Sequence, residues 1–269
     1  MSRNSSVSEF EFKQEFVKIQ PQLKSYLLRI VANAKDAEDL TQDTYLKSVK
    51  GFPGFKGDST LKTWIFSIAT NLARDHFRAR SRWIQDAQHI ASRDALEHPE
   101  LIDKLIEVNN NSTSGSFEVK DHIDFCFTCM AKTLTLEQQV VLILKEVYDF
   151  KITEIMMIVD LTEGKVKHTL ADARKIMIEI FESRCSLINK KGACYQCSEL
   201  NGIVNPKQIE QIEFMKIQLV KAAQQNTSSE RLFQLRLELI KSIDPNSTSG
   251  HDLYSYFLDL MPKYSGIKD

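Results

Sequence analysis

The chain has 269 residues, of which 42% are hydrophobic and 26% charged, a composition typical of a folded protein rather than a disordered one. Its 35 basic and 36 acidic side chains give a formal net charge of −1, so any basic surface for nucleic acid must be local. The low content of 9 glycines and 6 prolines argues against a loop-rich all-β protein. Hydrophobic residues recur with a 3.6-residue period along most of the chain, which predicts an all-α fold.

No run of 18 apolar residues occurs, so we expect no membrane-spanning segment. The first 11 residues are polar and lack the apolar centre of a signal peptide. We therefore expect a cytoplasmic protein.

The first block of the chain reads as three helical stretches. Residues 12–31 predict either one helix or two helices that meet at a break around Pro21, and residues 37–50 predict another. The segment 51–54, Gly-Phe-Pro-Gly, ends the latter, and a long helix is predicted over residues 60–82.

The predicted helix over residues 60–82 has two different faces. Its core stripe consists of Leu61, Ile65, Ile68, Leu72 and Ala79. Its solvent-facing side consists of Thr63, Ser67, Thr70, Arg74 and Arg78, with Asn71 near the edge. Hydroxyls and arginines interleaved with Trp64 and Phe77 suit phosphate contacts and stacking on unpaired bases. The alternative is an ordinary solvated helix face with a tryptophan in the core.

An acidic stretch, residues 94–107, and the polar tract 109–116 separate this block from a second one. The tract cannot pack into a core and predicts a linker. Within residues 121–184, a helix opening at Leu134 and a short helix over 152–159 lead into a turn, after which Thr162 is the expected N-cap of a further helix. This pattern predicts a helix-turn-helix. The core stripe of its last helix is Val166, Leu170, Ala173 and Met177.

Two Cys-x-x-Cys pairs flank the second block. They are Cys126 with Cys129 and Cys194 with Cys197. Such pairs can supply the four thiolates of a structural zinc site, but the 64 intervening residues are more than a standard zinc ribbon has. Buried thiols and a thiol–disulfide switch are the other two interpretations. Zinc is the one cofactor that the sequence suggests, and no cofactor is required by the rest of the pattern.

The remainder of the chain predicts a cysteine-containing loop followed by about three helices that start near Pro206, Ser229 and Asp252. Their apolar stripes suit packing on one another or on the preceding domain. The functional alternative is a regulatory module that masks a binding face.

The first block resembles region 2 of bacterial RNA polymerase sigma factors of the extracytoplasmic-function type. The resemblance rests on four segments in fixed order, residues 36–46 (DAEDLTQDTYL), 55–57 (FKG), 61–65 (LKTWI) and 69–78 (ATNLARDHFR). The helix-turn-helix resembles region 4 of the same family, with Met156 where a small residue is usual and Asp160 where glycine is usual. The resemblance implies two helical domains, 1–93 and 121–184, a linker at 94–120 and a helical C-terminal extension at 185–269.

The resemblance also implies residue roles. Polymerase contacts would come from Asp39, Gln42 and Asp43. Contacts with the melted −10 element would come from Lys56, Lys62, Thr63, Trp64, Asn71, Arg74 and Arg78. Contacts with the −35 element would come from Thr162, Lys165, Lys167, His168, Thr169 and Arg174.

This resemblance implies that the protein is a promoter-specificity subunit, which binds and melts DNA together with core RNA polymerase. Its partners would be the clamp of the largest polymerase subunit, the flap of the second-largest, promoter DNA and, as in other members, an anti-sigma factor. No phosphate-binding glycine loop, nucleophile elbow or HExxH motif occurs, so we expect no enzyme. The alternative is a stand-alone helix-turn-helix regulator with a zinc or thiol sensor, which would not need the acidic helix around Asp39.

Overall fold

The structure is a computed structural model that describes residues 8–79, 124, 126–128, 130–184, 222, 225 and 227–247. All regular elements in these ranges are helical, which confirms the predicted all-α fold. The chain forms two compact units, one made of Met1–Arg80 with Leu136–Ala171 and the other of Ser81–Thr135 with Asp172–Asp269. The first unit therefore combines helices from both predicted domains. None of the described helices is long and apolar enough to cross a membrane.

Helix α1 (Glu9–Val31) is one continuous helix that contains Pro21, which decides between the one or two helices that the sequence left open. The helix begins with a capping box, in which the Ser8 hydroxyl accepts from the Glu11 amide and the Glu11 carboxylate accepts from the Ser8 amide. Pro21 removes the hydrogen bond to the carbonyl of Val17, but Val17 is exposed, so water can satisfy that carbonyl. Buried side chains on both sides of Pro21 hold the two halves in line. They include Phe12, Phe16, Ile19, Leu23 and Leu27.

The end of α1 is set by Ala32, which lies in the left-handed region with a φ of 57°. We predict that Ala32→Gly raises the free energy of unfolding by about 0.5–1 kcal/mol, because glycine adopts this conformation without a Cβ clash. Ala171→Gly is the matched control: Ala171 is exposed within a helix, where glycine should cost about 1 kcal/mol. Denaturant titration measures both, and a loss of stability from Ala32→Gly would contradict the prediction.

Helix α2 (Ala34–Gly51) begins with Asn33 as its N-cap, whose side chain accepts from the Asp36 amide at 2.9 Å. Its buried face is partly polar: Thr41, Thr44 and Ser48 each donate a 2.6 Å hydrogen bond to the carbonyl four residues earlier. These bonds satisfy the hydroxyls within the helix, so the face can pack without leaving a buried donor unpaired. A short 3-10 helix (Phe52–Gly54) follows, where the sequence predicted a break.

Helix α3 (Leu61–Ala79) packs on α1 and α2 to complete a three-helix arrangement. Ile65 and Leu72 of the predicted core stripe are buried, whereas Leu61 and Ile68 are half-buried and Ala79 is exposed. The buried Tyr26 hydroxyl lies 2.8 Å from the hydroxyl of Thr70, which is itself fully buried. Thr70 was predicted on the solvent-facing side, and this hydrogen bond to α1 explains why it is not there.

The helix-turn-helix prediction is confirmed by α4 (Leu136–Glu146), α5 (Ile152–Val159) and α6 (Glu163–Arg184). Asp160 forms the turn in the left-handed conformation with a φ of 57°, as the usual glycine would. The Thr162 hydroxyl accepts from the Lys165 amide at 3.4 Å, so Thr162 caps α6. The predicted core stripe of α6 is buried throughout: Val166, Leu170, Ala173 and Met177.

In the second unit, helix α7 (Ser229–Lys241) begins where the sequence predicted, with the Ser228 side chain as its N-cap. Its buried Arg236 places the guanidinium 3.9 Å from the centre of the Phe181 ring on α6, and Phe233 lies against the same ring. Helix α7 therefore packs on the C-terminal part of α6. The helices predicted near Pro206 and Asp252 lie outside the described residues.

Candidate nucleic-acid interface

The exposed face of α2 carries the residues predicted to contact a polymerase. Asp39, Gln42 and Asp43 are all exposed and lie within one turn of each other, with the Gln42 amide donating to Glu38 at 3.2 Å. Leu46, one turn further, is 63% exposed and extends the same stripe. The face thus combines negative charge with an apolar side chain that has no place in the core.

Two apolar residues of this surface were missed at the sequence level. Tyr45 and Leu46 border an open groove of about 420 Å³ between α1 and α2, which Val17 also lines. The signal that could have found Leu46 is present in the sequence: it follows Asp39 by seven residues, Gln42 by four and Asp43 by three, all spacings that place it on the same side of α2. Exposed aromatic and aliphatic side chains next to charged ones are typical of a protein-binding surface.

Trp64 belongs to a cluster of aromatic rings. Its ring lies 5.1 Å from that of Phe55 and 6.5 Å from that of the fully buried Phe12, which stacks on Phe52 at 4.5 Å. Trp64 nevertheless remains half-buried rather than enclosed. The cluster therefore holds the loop before α3 in place and leaves part of the indole accessible.

The polar residues of the loop that precedes α3 are exposed to solvent. Lys56 is exposed, and Gly57 takes a φ of 75° that favours glycine, so the chain reverses there without strain. Lys56 and Trp64 thus flank a turn whose backbone can approach a ligand closely.

The start of α3 is less exposed than the sequence predicted. Thr63 is only 1% exposed, and its hydroxyl lies 2.9 Å from that of Thr60 and 3.5 Å from a carboxylate oxygen of Glu154 on α5. Lys62 places its ammonium group 4.7 Å from the centre of the Phe150 ring. Burial lowers the pKa of Lys62, and the charges of Glu154 and Asp149 oppose that shift. Thr63 was wrongly placed on a solvent-facing side, because α5 packs on this face.

The basic end of α3 carries Asn71, Arg74 and Arg78. The Arg74 guanidinium donates to the Asn71 side-chain oxygen and to the Val159 carbonyl, both at 3.0 Å. Arg78 is exposed and pairs with Asp75 at 3.0 Å. Asn71, Arg74 and Arg78 therefore do lie together, as predicted, along an open groove of about 430 Å³.

The predicted −35 residues lie at the cap and on the first two turns of α6, except Arg174, which lies in the fourth turn. Five of the six are exposed, namely Thr162, Lys165, Lys167, His168 and Arg174. The exception is Thr169, which is 5% exposed and was wrongly predicted to face DNA. Thr169 lies three residues after Val166 and next to Leu170, so it falls inside the buried stripe.

Lys167 pairs with Glu163 one turn earlier at 2.5 Å, and this hydrogen bond and charge lower the pKa of Glu163. Both side chains are exposed, so a phosphate could take the place of Glu163 at little cost.

Only one of the four predicted metal ligands is described. Cys126 is 6% exposed beside the fully buried Phe127. Cys129, Cys194 and Cys197 lie outside the described residues. The choice between zinc and buried or regulatory thiols therefore stays open, and metal analysis of the purified protein would decide it.

Comparison with known proteins gives a consistent set of relatives. The sigma-70 region 2 family matches residues 16–82, which include α2, α3 and the loop between them. The RNA polymerase sigma-H factor of Pseudomonas aeruginosa is 24% identical over 159 residues, which cover 59% of this chain and 80% of that protein. The ECF RNA polymerase sigma factor SigX of Bacillus subtilis is 27% identical over 158 residues, covering 58% of this chain and 75% of SigX.

Two further comparisons differ in coverage. The ECF RNA polymerase sigma factor SigG of Mycobacterium tuberculosis is 27% identical over 162 residues, which cover 57% of this chain but only 44% of SigG. Among solved structures, the sigma factor RpoE of Bartonella quintana, crystallised with the anti-sigma factor NepR, matches with 21% identity and a TM-score of 0.45, covering 64% of this chain and 97% of RpoE.

Proposed function

This chain belongs to the RNA polymerase sigma factors of the extracytoplasmic-function type, and on that premise we propose that it directs core RNA polymerase to specific promoters and starts transcription there. Its relatives are sigma factors, a class without catalytic activity of its own, and we propose the same for this chain. One observation carries the proposal: the same chain contains both features that a promoter-specificity subunit needs. Its region 2 match has an exposed acidic stripe, and its helix-turn-helix has an exposed cationic face.

The α2 stripe is the proposed contact with the clamp of the largest polymerase subunit. Asp39, Gln42 and Asp43 supply charge and hydrogen bonds, and Leu46 supplies apolar area at the same face. Charge complementarity steers such an association, and a central apolar side chain adds binding free energy. A stand-alone regulator has no use for this stripe, so the alternative function gains no support from it.

The loop before α3, together with Lys62 and Trp64, is the proposed reader of the melted −10 element; Thr63 is buried and is left out of it. Unstacking a base costs a few kcal/mol, and an accessible indole edge beside Lys56 can offset that cost by stacking and by phosphate neutralisation. Asn71, Arg74 and Arg78 would then hold the strand backbone. The reader would melt the duplex because it binds extruded bases with a more favourable free energy than it binds paired ones.

The cap and exposed face of α6 are the proposed reader of the −35 element. Lys165, Lys167 and His168 lie on the first two turns of a recognition helix, where such side chains reach base edges and phosphates in a major groove. An anti-sigma factor is a further partner that we propose by family membership.

The proposal is tested by adding the full chain to core RNA polymerase and mapping transcript starts on a genomic template library. We expect new, discrete start sites that share −10 and −35 sequences. Failure of the chain to bind core, or binding without any change in start sites, would overturn the proposal.

We predict that Lys167→Ala weakens binding of the holoenzyme to its promoter duplex several-fold and reduces the slope of log affinity against log salt by about 1. Lys18→Ala is the control, because Lys18 also pairs with a glutamate on an exposed helix face but lies on α1. Filter binding or anisotropy over a salt series measures both. An unchanged salt slope for Lys167→Ala would contradict a phosphate contact.

A further inference from the structure

Gly51 is the last residue of α2, and nothing in its backbone calls for glycine. Its φ of −84° and ψ of −17° lie in the right-handed helical region, which alanine adopts readily. Helix α2 leads directly into the 3-10 helix Phe52–Gly54, and within a helix alanine is the better helix former. The neighbours of Gly51, rather than its own conformation, therefore explain the glycine.

The indole of Trp64 lies directly against Gly51. A Cβ atom at residue 51 would lie 3.3 Å from Cζ2 and 3.7 Å from Cη2 of the indole. Carbon atoms in van der Waals contact are about 3.5–4.0 Å apart, so the indole could not keep its place beside a Cβ atom. The missing side chain at the end of α2 thus lets the six-membered ring of the indole approach the helix backbone closely.

The other contacts of Trp64 hold the indole in the same place. The ring of Phe55, in the loop before α3, lies 5.1 Å away and is tilted by 43°, and the buried ring of Phe12 on α1 makes an edge contact at 6.5 Å. The Trp64 amide donates to the Thr60 carbonyl at 3.0 Å. The indole is thus in contact with α1, with α2 and with the loop, while part of it stays accessible to solvent.

We infer that Gly51 is a positioning residue of the proposed −10 reader, which acts by fixing where the Trp64 indole lies. This role rests on the proposed function, because Trp64 is the side chain on which an extruded base would stack. A base binds best to an indole that already has the right orientation, since any reorganisation of the reader counts against binding. A side chain at residue 51 would displace the indole from the position that the rings of Phe12 and Phe55 define. Gly51 itself needs no contact with DNA for this role.

Gly51→Ala tests the contact between residue 51 and the indole. All variants also carry Trp83→Phe, so that Trp64 is the only one of the two tryptophans that remains. Incorporation of 5-fluorotryptophan then gives a single fluorine resonance, and the fluorine is on Cζ3, which leaves the contact atoms Cζ2 and Cη2 unmodified. We expect Gly51→Ala to shift this resonance. Gly54→Ala is the matched control and should leave the resonance in place, because a Cβ atom at residue 54 would meet no atom of the described chain within 4 Å.

A double-mutant cycle with Trp64→Phe tests whether the contact matters for melting. Promoter opening by the full chain with core RNA polymerase is measured as the permanganate reactivity of unpaired thymines. We expect Gly51→Ala to reduce opening about threefold or more, because the displaced indole is no longer oriented to stack. When Trp64→Phe is also present, the smaller ring leaves room for the alanine methyl group, so Gly51→Ala should cause no further loss. Circular dichroism checks that each variant is folded.

A fluorine resonance that Gly51→Ala leaves in place would overturn the contact, and this measurement needs neither polymerase nor promoter. Equal losses of opening from Gly51→Ala with and without Trp64→Phe would overturn the positioning role, because residue 51 would then not act through the indole. If Trp64→Phe lowers opening and Gly51→Ala does not, the proposed −10 reader stands and the role of Gly51 is wrong. If neither substitution lowers opening by a chain that still directs polymerase to promoters, the proposed role of Trp64 is wrong as well.

Discussion

Phe12→Ala is expected to lower the free energy of unfolding by about 3–5 kcal/mol, among the largest losses that a single substitution in this chain should cause. Phe12 is fully buried, and its ring contacts those of Phe16, Phe52 and Trp64. Alanine leaves a cavity that these rings can only partly refill. Because a domain is stable by only about 5–15 kcal/mol, the variant should melt far below the parent protein.

The same substitution should also disturb the proposed −10 reader. Trp64 and Phe55 rest on the Phe12 cluster, so its loss frees the loop before α3. We expect promoter opening by Phe12→Ala to fall more steeply with temperature than that of the parent chain.

Phe10→Ala is the control for this prediction. Phe10 is on the same helix two residues earlier but is 69% exposed, so its removal should change stability by less than about 0.5 kcal/mol. Denaturant titration of both variants makes the comparison. Equal effects of the two substitutions would contradict the position assigned to Phe12.

Asp39→Arg combined with Asp43→Arg is expected to weaken association with core polymerase on the order of 100-fold, which corresponds to about 2.8 kcal/mol. Both residues are exposed on the α2 stripe, so the fold should not change. If the stripe binds a complementary positive surface on the polymerase, as proposed, reversing its charge replaces attraction with repulsion. Surface plasmon resonance or a competition assay against a second sigma factor measures the loss.

The matched control reverses two exposed carboxylates elsewhere, Glu179→Arg with Glu230→Arg. It changes the net charge of the chain by the same amount but leaves α2 intact. If both double variants lose affinity equally, net charge rather than the α2 stripe controls the association. If neither loses affinity, the stripe is not the contact.

The sequence was sufficient for features that depend on near neighbours. The helix-turn-helix was predictable because the Val166, Leu170, Ala173 and Met177 stripe and the Thr162 cap are set by residues three and four apart. The turn at Asp160 could be placed because few residues tolerate a positive φ.

Periodicity gave less reliable results where a polar residue lies at the edge of a buried stripe. Thr169 and Thr70 were both predicted to face outward, yet each is buried. For Thr70 the reason is a hydrogen bond to the Tyr26 hydroxyl, which satisfies the Thr70 hydroxyl inside the core. The sequence left open whether Pro21 breaks α1, because the cost of a proline is local, whereas the buried contacts that keep the helix continuous are not.

By itself, then, the sequence determined the helices, their caps, the helix-turn-helix and the residues from which the two proposed readers are built. Only the tertiary structure decided which of those residues are accessible. Thr63, Lys62 and Arg74 lie at the helical positions that the sequence predicted. In the folded chain, however, they contact residues more than 80 positions away, and these contacts cover them. Spacing along a helix fixes which side chains share a face, whereas the partner of that face depends on long-range packing that no local pattern encodes.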